Sequence, residues 1–201
     1  MAADRQAAAM AKRILILNGH PDPSVDRFCA ALCDAYAAAA TAAGHEVRRL
    51  DLGAVDAPVL MTAAAFAEPP PDEIQDIQAA MIRAEHLVIV FPLWLGGVPA
   101  RLKALLEQVY RGGFGFQVGP SGSNSKLKGR SARLVVTMGM PGPFFRVVFG
   151  GHGVKALARG VLWLSGYRPI RTSIVGGVEM IGAKGRAAWL ARMRTLGAKA
   201  R

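Results

Sequence analysis

Short, dense hydrophobic runs alternate along the chain with longer segments of helical periodicity. The runs predict five strands, over Arg13–Asn18, Glu46–Leu52, His86–Phe91, Arg133–Met138 and Pro169–Val175. The longer segments predict five helices, over Asp26–Ala43, Asp72–Ala84, Pro99–Tyr110, Phe145–Leu164 and Ala183–Leu196. Runs such as LVIVF and RLVVT are continuous and rich in β-branched residues, which is typical of strands buried on both faces. The alternation predicts an α/β fold, a doubly wound five-stranded parallel sheet with helices on both faces.

The length and composition indicate a globular chain. With 201 residues, 52% hydrophobic and 19% charged, we expect a single domain over residues 1–201. The segment 1–12 lacks the apolar core of a signal peptide, so we expect a loose leader and a cytoplasmic protein. No apolar run reaches the roughly 18 residues that a membrane span needs. Two intervals, Gly53–Pro71 and Arg111–Arg130, have little periodicity and predict surface excursions.

Charge is unevenly distributed along the chain, whose net charge is +11. Residues 1–107 contain 9 Lys/Arg and 13 Asp/Glu, whereas residues 108–201 contain 16 Lys/Arg and one acid, Glu179. A basic half attracts nucleic acid, anionic lipid or a phosphorylated small molecule, or is a solvated surface. We expect no nucleic-acid partner, because no recognised motif is present and no aromatic residues are interleaved with the basic ones. Peripheral membrane contact stays open.

Cysteine usage argues against a metal site. Cys29 and Cys33 lie four residues apart on the first predicted helix, and we interpret them as reduced packing thiols. The sequence has no His/Cys cluster with metal-ligand spacing, so no bound metal is expected.

Three loops carry the candidate chemistry. Ligands of such a sheet bind outside the carboxyl ends of the strands, where the strand order reverses. The loops after the first, third and fourth strands read NGHPDPSVDRF, PLWLGGVPA and TMGMPGPFF. Their glycines let the backbone approach a flat ligand, and Trp94 offers an aromatic face. The first loop opens onto a helix N-terminus, which favours a phosphate, and Ser24, Arg27 and a protonated His20 would add donors. A planar ring with a phosphate describes a flavin nucleotide.

Two other features have plainer explanations. Asp22 and Asp26 suit turn formation and helix N-capping better than acid–base catalysis. Lys103 and Glu107, four residues apart, fit a solvated helix face.

The segment GHGVKA, Gly151 to Ala156, matches the dinucleotide fingerprint G-x-G-x-x-A, although no acid follows about 20 residues later. A dinucleotide-binding dehydrogenase without flavin therefore remains an alternative.

Four segments of the chain resemble a known family. They are GHPDPS…RF, FPLWLGGVPARLKALLEQVYRGGFGF, LKGRSARLVVTMGMPG and GGHGVKAL…WLSGYRPI. Together, over about residues 13 to 195, they are similar to the flavodoxin-like NAD(P)H:quinone oxidoreductases. The resemblance implies a flavodoxin-like sheet of order 2-1-3-4-5 and tightly bound FMN or FAD. It also implies hydride transfer from NAD(P)H to a quinone or similar acceptor by ping-pong, and a homodimer.

The resemblance implies roles for individual residues. His20 matches the family's phosphate-side histidine, and Arg27 falls where many members have Asn. Leu95 stands where an aromatic residue is common. His152 matches a histidine that shuttles charge during hydride transfer, although no Tyr matches its usual partner. The expected cofactor-binding residues are His20, Ser24, Arg27, Phe28, Pro92, Leu93, Trp94, Leu95, Thr137, Met138, Gly139 and Met140, with His152 as the candidate catalytic residue.

Two alternatives come from other functional classes. A flavodoxin-like electron carrier is typically acidic, so the net charge of +11 argues against that role. A regulatory flavoprotein subunit docked on a membrane transporter, a role of some relatives of the family, would suit the basic second half of the chain.

Overall fold

The computed structural model describes residues 11–119 and 122–201, so the expected leader falls outside the described residues up to residue 10. Within these residues there are seven strands: β1 (Arg13–Asn18), β2 (Glu46–Asp51), β3 (His86–Pro92), β4 (Gln117–Gly119), β5 (Gly122–Asn124), β6 (Ser131–Thr137) and β7 (Ile170–Val175). Five of them form one parallel sheet of order β2-β1-β3-β6-β7. The expected order 2-1-3-4-5 and the flavodoxin-like fold are confirmed. Strands β4 and β5 form a separate antiparallel hairpin.

The helices lie between the strands, as the periodicity predicted. They are α1 (Phe28–Ala42), α2 (Ala63–Ala67), α3 (Asp72–Arg83), α4 (Ala100–Tyr110), α5 (Gly142–Val147), α6 (His152–Lys155), a π-helical segment (Ala156–Trp163) and α7 (Gly182–Ala198). Short 3-10 turns occupy Leu52–Ala54 and Arg111–Gly113. The two excursions expected at 53–71 and 111–130 contain α2 and the β4–β5 hairpin. Among the described residues, no helix has the length and apolar content required to cross a bilayer.

Consecutive residues of a strand point to opposite faces of the sheet, and both faces are buried. On one face Ile14, Ile16 and Val88 belong to a core cluster with residues of α1 and α7. On the other, Leu15 and Leu17 belong to a second cluster with residues of α3, α4 and the π-helical segment. This two-sided burial explains why the central strands are continuous apolar runs.

The single helix predicted over Phe145–Leu164 is wrong. Helix α5 ends at Val147, and the chain turns through Gly150 (φ 58°) and Gly151 (φ 63°) before α6 begins at His152. Left-handed backbone is accessible to glycine at little cost, and it interrupts a right-handed helix. The break separates α5 from the helical segment that runs from His152 to Trp163.

Candidate functional site

Three loops meet at the carboxyl edge of the sheet, because β1, β3 and β6 are neighbours in it. The first loop runs over residues 19–27, the second over 93–99 and the third over 138–141. The imidazole of His20 lies edge-on to the indole of Trp94, with 6.0 Å between ring centroids. The amide of Leu93 donates to the carbonyl of Thr137 at 2.7 Å. The structure therefore brings the three sequence-predicted loops together.

The first loop is held by its own polar side chains. Asn18 accepts a hydrogen bond from the amide of His20 (3.2 Å) and donates to Asp51 at the end of β2 (2.8 Å). The amide of Ser24 donates to Asp22 Oδ1 at 2.9 Å, the side-chain turn expected for that aspartate. Gly53 packs so closely on Pro23 that a Cβ there would lie 2.8 Å from it. These contacts fix the loop before any ligand binds.

His20 is neutral near pH 7 in this setting. Burial lowers its pKa below the ordinary value. Its Nδ1 accepts the amide hydrogen of Asp22 at 3.1 Å, which leaves the remaining proton on Nε2. His20 therefore offers one N–H donor to a ligand and adds no positive charge, unlike the protonated form considered from the sequence.

The first helix opens without a side-chain cap. Helix α1 begins at Phe28 after Arg27, so the N-cap role expected for Asp26 is wrong. The amides of Phe28 and Cys29 have no hydrogen-bond acceptor among the described residues. Arg27 donates from Nε to Asp22 Oδ2 at 2.7 Å and also contacts it through Nη2. The phenyl ring of Phe28 is half-buried against the α1 core.

The second loop presents an aromatic face and free amides. Trp94 and Gly97 pair their backbones through two 3.0 Å hydrogen bonds, and the tight turn between them puts Leu95 (φ 48°) and Gly96 (φ 80°) in left-handed conformations. The Trp94 side chain is 49% exposed and that of Leu95 fully exposed. The amides of Leu95 and Gly96 make no hydrogen bond within residues 11–119 and 122–201. Pro92, which ends β3, is buried.

The third loop divides into a structural part and an open part. Thr137 Oγ1 lies 3.4 Å from Cys29 Sγ, and the buried Met138 donates its amide to Val175 at 3.0 Å. The amides of Gly139 and Met140 have no partner in the described chain, and a Cβ on Gly139 would meet open space. Of the residues expected here, Thr137 and Met138 contact the protein core, whereas Gly139 and Met140 present backbone donors.

Helix α6 docks directly on the second loop. A Cβ at Gly153 would overlap the carbonyl oxygen of Gly96, so only glycine permits this approach. His152 precedes Gly153 in the chain, and its exposed imidazole folds back over Gly150. Sequence reasoning missed Gly153. Its position inside the Gly-His-Gly triplet was the available signal.

An apolar pocket of about 590 Å³ opens beside the second loop. Its lining comes from that loop, α4, α6 and the π-helical segment, and includes Trp94, Leu95, Val98, Leu106, Leu157 and Val161. Lys103, ion-paired with Glu107 as its spacing predicted, lines one side. A flat apolar ligand would fit this space.

Two further predictions can be compared with the structure. The Gly151–Ala156 fingerprint follows helix α5 rather than a strand, so it lacks the strand–turn–helix setting that dinucleotide binding requires. Cys29 and Cys33 are buried free thiols, and burial raises the pKa of Cys29 to about 11. The described residues contain no group of three or more His, Cys, Asp or Glu side chains that could hold a metal ion.

Comparison with known proteins agrees with this architecture. An NAD(P)H oxidoreductase of Haemophilus influenzae, itself uncharacterized, is 25% identical over 121 residues, 60% of each chain. An FMN-dependent NADH:quinone oxidoreductase of Ruegeria pomeroyi is 32% identical over 127 residues, 55% of this chain and 62% of the relative. The matches thus span about six tenths of those relatives' length.

Solved structures and a family model extend the likeness over nearly the whole chain. The NAD(P)H:quinone oxidoreductase of Methanothermobacter marburgensis superposes with a TM-score of 0.77 at 19% identity, covering 95% of this chain and 100% of that one. At that identity the likeness establishes the fold. The model of the flavodoxin-like fold family matches residues 12–196. Together with the observed sheet order, this match means that the chain belongs to the flavodoxin-like fold family.

Proposed function

We propose that this chain is a cytoplasmic, FMN-binding NAD(P)H oxidoreductase that reduces a quinone or similar flat acceptor. The observation that carries the proposal is a set of four backbone amides at the carboxyl edge, of Leu95, Gly96, Gly139 and Met140, which have no hydrogen-bond partner among the described residues. They lie on the second and third loops, and the second loop also carries the half-exposed indole of Trp94 and lines the apolar pocket. The FMN-dependent relative from Ruegeria pomeroyi supports the choice of FMN over FAD.

The described residues fit a flavin mononucleotide. A Cβ added to the glycine at position 96, 97 or 139 would have no atom within 4 Å, which leaves room for a planar ring against the backbone. At the first loop, the free amides of α1, the Ser24 hydroxyl and the His20 Nε2–H are donors suited to a phosphate. When bound, FMN supplies the hydride chemistry, accepting two electrons from NAD(P)H and passing them to the acceptor.

The protein's contribution is orientation and electrostatics. Free amides on the second and third loops are fixed dipoles, and they would stabilise negative charge on a reduced ring without reorganising. Trp94 would cover one edge of the ring, and the apolar pocket would exclude water from the stacked substrate. Donor and acceptor would use that pocket in turn, which gives ping-pong kinetics.

His152 is the candidate for proton exchange at this site. Its imidazole is exposed, and the next residue, Gly153, packs against the carbonyl of Gly96 in the second loop. All three tyrosines of the chain are largely buried, and burial raises the pKa of Tyr110 to about 12 and that of Tyr167 well above its ordinary value. A tyrosine hydroxyl therefore does not reach the site from within this chain.

A titration tests the proposal directly. FMN added to purified protein should show quenched fluorescence at micromolar concentration, and the complex should oxidise NADH or NADPH when a quinone is present. Trp94→Ala should weaken FMN binding about three- to tenfold through lost ring contact. Trp163→Ala is the matched control, because its indole is equally exposed (50%) but lies outside the three loops.

Two outcomes would overturn the proposal in different ways. Absence of quenching by wild-type protein removes the flavin role altogether. Quenching without oxidation of either nicotinamide would instead favour the regulatory flavoprotein, and capture of a membrane partner would then be the next measurement.

A further inference from the structure

The only arginine of the loop after β1, Arg27, already pairs with a carboxylate of the same loop. The carboxylate of Asp22 receives Arg27 Nε at 2.7 Å and contacts Nη2 through the same oxygen, Oδ2. Its other oxygen accepts the amide of Ser24 at 2.9 Å. The guanidinium that would meet a flavin phosphate is thus engaged by a carboxylate of the same loop.

The charge of this loop is unfavourable for a phosphate. Residues 18–28 contain two carboxylates, Asp22 and Asp26, against one guanidinium, Arg27, which gives a net charge of −1 when His20 is neutral. A phosphate monoester contributes about −1.5 to −2 more at pH 7. The hydrogen-bond donors of the loop therefore suit an anion, while its side-chain charges oppose one.

The Asp22–Arg27 salt bridge can break so that Arg27 pairs with another anion. Both side chains are partly exposed, by 53% for Arg27 and 35% for Asp22. A salt bridge between partly exposed side chains shifts an equilibrium by less than about fivefold, so breaking it costs little free energy. Asp22 keeps a second anchor on the Ser24 amide, which lets Arg27 leave without unfolding the turn.

We propose that Asp22 is an internal competitor for Arg27, a carboxylate that occupies the arginine in the flavin-free protein and sets the affinity of the site for the flavin phosphate. The inference rests on the proposed function and concerns how the same site is tuned. Binding of the phosphate transfers Arg27 from Asp22 to the ligand and leaves Asp22 hydrogen-bonded to Ser24. The affinity for FMN is consequently lower than the donors of the loop alone would give, whereas riboflavin, which has no phosphate, is unaffected.

The test compares the dissociation constants of FMN and riboflavin by fluorescence quenching in matched variants. Asp22→Asn removes the charge but keeps an oxygen that accepts the Ser24 amide, and Asp22→Ser is a second uncharged variant with an acceptor. Asp26→Asn is the control, because Arg27 pairs with Asp22 and not with this exposed acid of the same loop. Both Asp22 variants should bind FMN about three- to fivefold more tightly with unchanged riboflavin affinity, and Asp26→Asn should change FMN affinity less than about twofold.

Substitution of Arg27 completes a double-mutant cycle with Asp22. Arg27→Ala should weaken FMN binding roughly 10- to 100-fold, because a hydrogen bond between charged groups is lost, and should affect riboflavin far less. In the Arg27→Ala background, Asp22→Asn should improve FMN affinity less than about twofold, since the competition no longer exists.

The results that overturn the proposal are separate from those that overturn the flavin role. If Asp22→Asn and Asp22→Ser leave FMN affinity unchanged or weaken it while riboflavin still binds, Asp22 positions Arg27 instead of competing for it. If Asp26→Asn gains as much as Asp22→Asn, the effect is the general charge of the loop and the competitor role is refuted. If no variant binds FMN or riboflavin, the proposed function fails and the competitor role fails with it.

Discussion

Replacing Gly153 with alanine would place a methyl group on the carbonyl oxygen of Gly96, where α6 docks on the second loop. The backbone on both sides is held, by the Trp94–Gly97 pair and by the start of a helix, so neither can yield without moving the loop. Overpacking of this kind costs about 1–3 kcal/mol. The gain in helix propensity offsets only about 0.5–1 kcal/mol of that.

Gly160 is the matched control for this substitution. It lies further along the same helical segment, and an added Cβ there would meet nothing within 4 Å. Gly160→Ala should therefore stabilise the protein by about 0.5 kcal/mol, because alanine loses less backbone entropy on folding. The two variants should change the free energy of unfolding in opposite directions.

Urea denaturation followed by circular dichroism measures both changes. Gly153→Ala should lower the midpoint, and Gly160→Ala should raise it slightly, with similar slopes for both. Gly153→Ala should also weaken FMN binding several-fold, because the displaced loop includes the amides of Leu95 and Gly96. Equal stabilisation by the two alanines would refute the docking of α6 on the second loop.

Three more predictions concern other parts of the molecule. Burial lowers the pKa of His86 to about 3, so the unfolded chain takes up a proton below about pH 6.5 that the folded chain does not. Stability should fall by about 2 kcal/mol from pH 7 to pH 5 on this account, and urea denaturation should show the loss shrinking in His86→Asn. Cys29 and Cys33 should react with a thiol reagent such as DTNB at neutral pH only after unfolding, because both are buried and their pKa values are raised, and fast reaction of the native protein would contradict this. The chain should sediment as a homodimer, since Leu95 and a run of apolar side chains over 147–149 are exposed, and a monomer mass across a wide concentration range would refute it.

Much of the fold was predictable from the sequence because the determining signals are local. Strands buried on both faces are continuous apolar runs, and the segments between them have clear helical periodicity. The break at Gly150–Gly151 was missed because the apolar pattern continues across it, although the two adjacent glycines are themselves a local turn signal. The β4–β5 hairpin has three-residue strands, too short to give a periodic signal.

The candidate site was predictable at the level of loops and less so at the level of side chains. Strand order alone brings His20 and Trp94 together, because their loops follow neighbouring strands. Which hydrogen-bond donors remain free to bind a ligand depends on tertiary contacts, and a local sequence pattern does not specify these contacts. Thr137 contacts Cys29, 108 residues away in sequence, and Arg27 is paired with Asp22. Residue type identified the donors, while packing decided which of them are available.

The left-handed conformation of Leu95 has a consequence for how this protein can change. A residue with a Cβ pays about 1–2 kcal/mol to adopt that backbone geometry, and a glycine would avoid the cost. Leu95→Gly is therefore a substitution that should make the free protein more stable while removing the fully exposed isobutyl group from the rim of the pocket. Selection for thermal resistance alone would favour this change, whereas the proposed function predicts that it weakens ligand binding at the pocket. At this position, the stability of the free protein and contact with a ligand in the proposed site favour different residues.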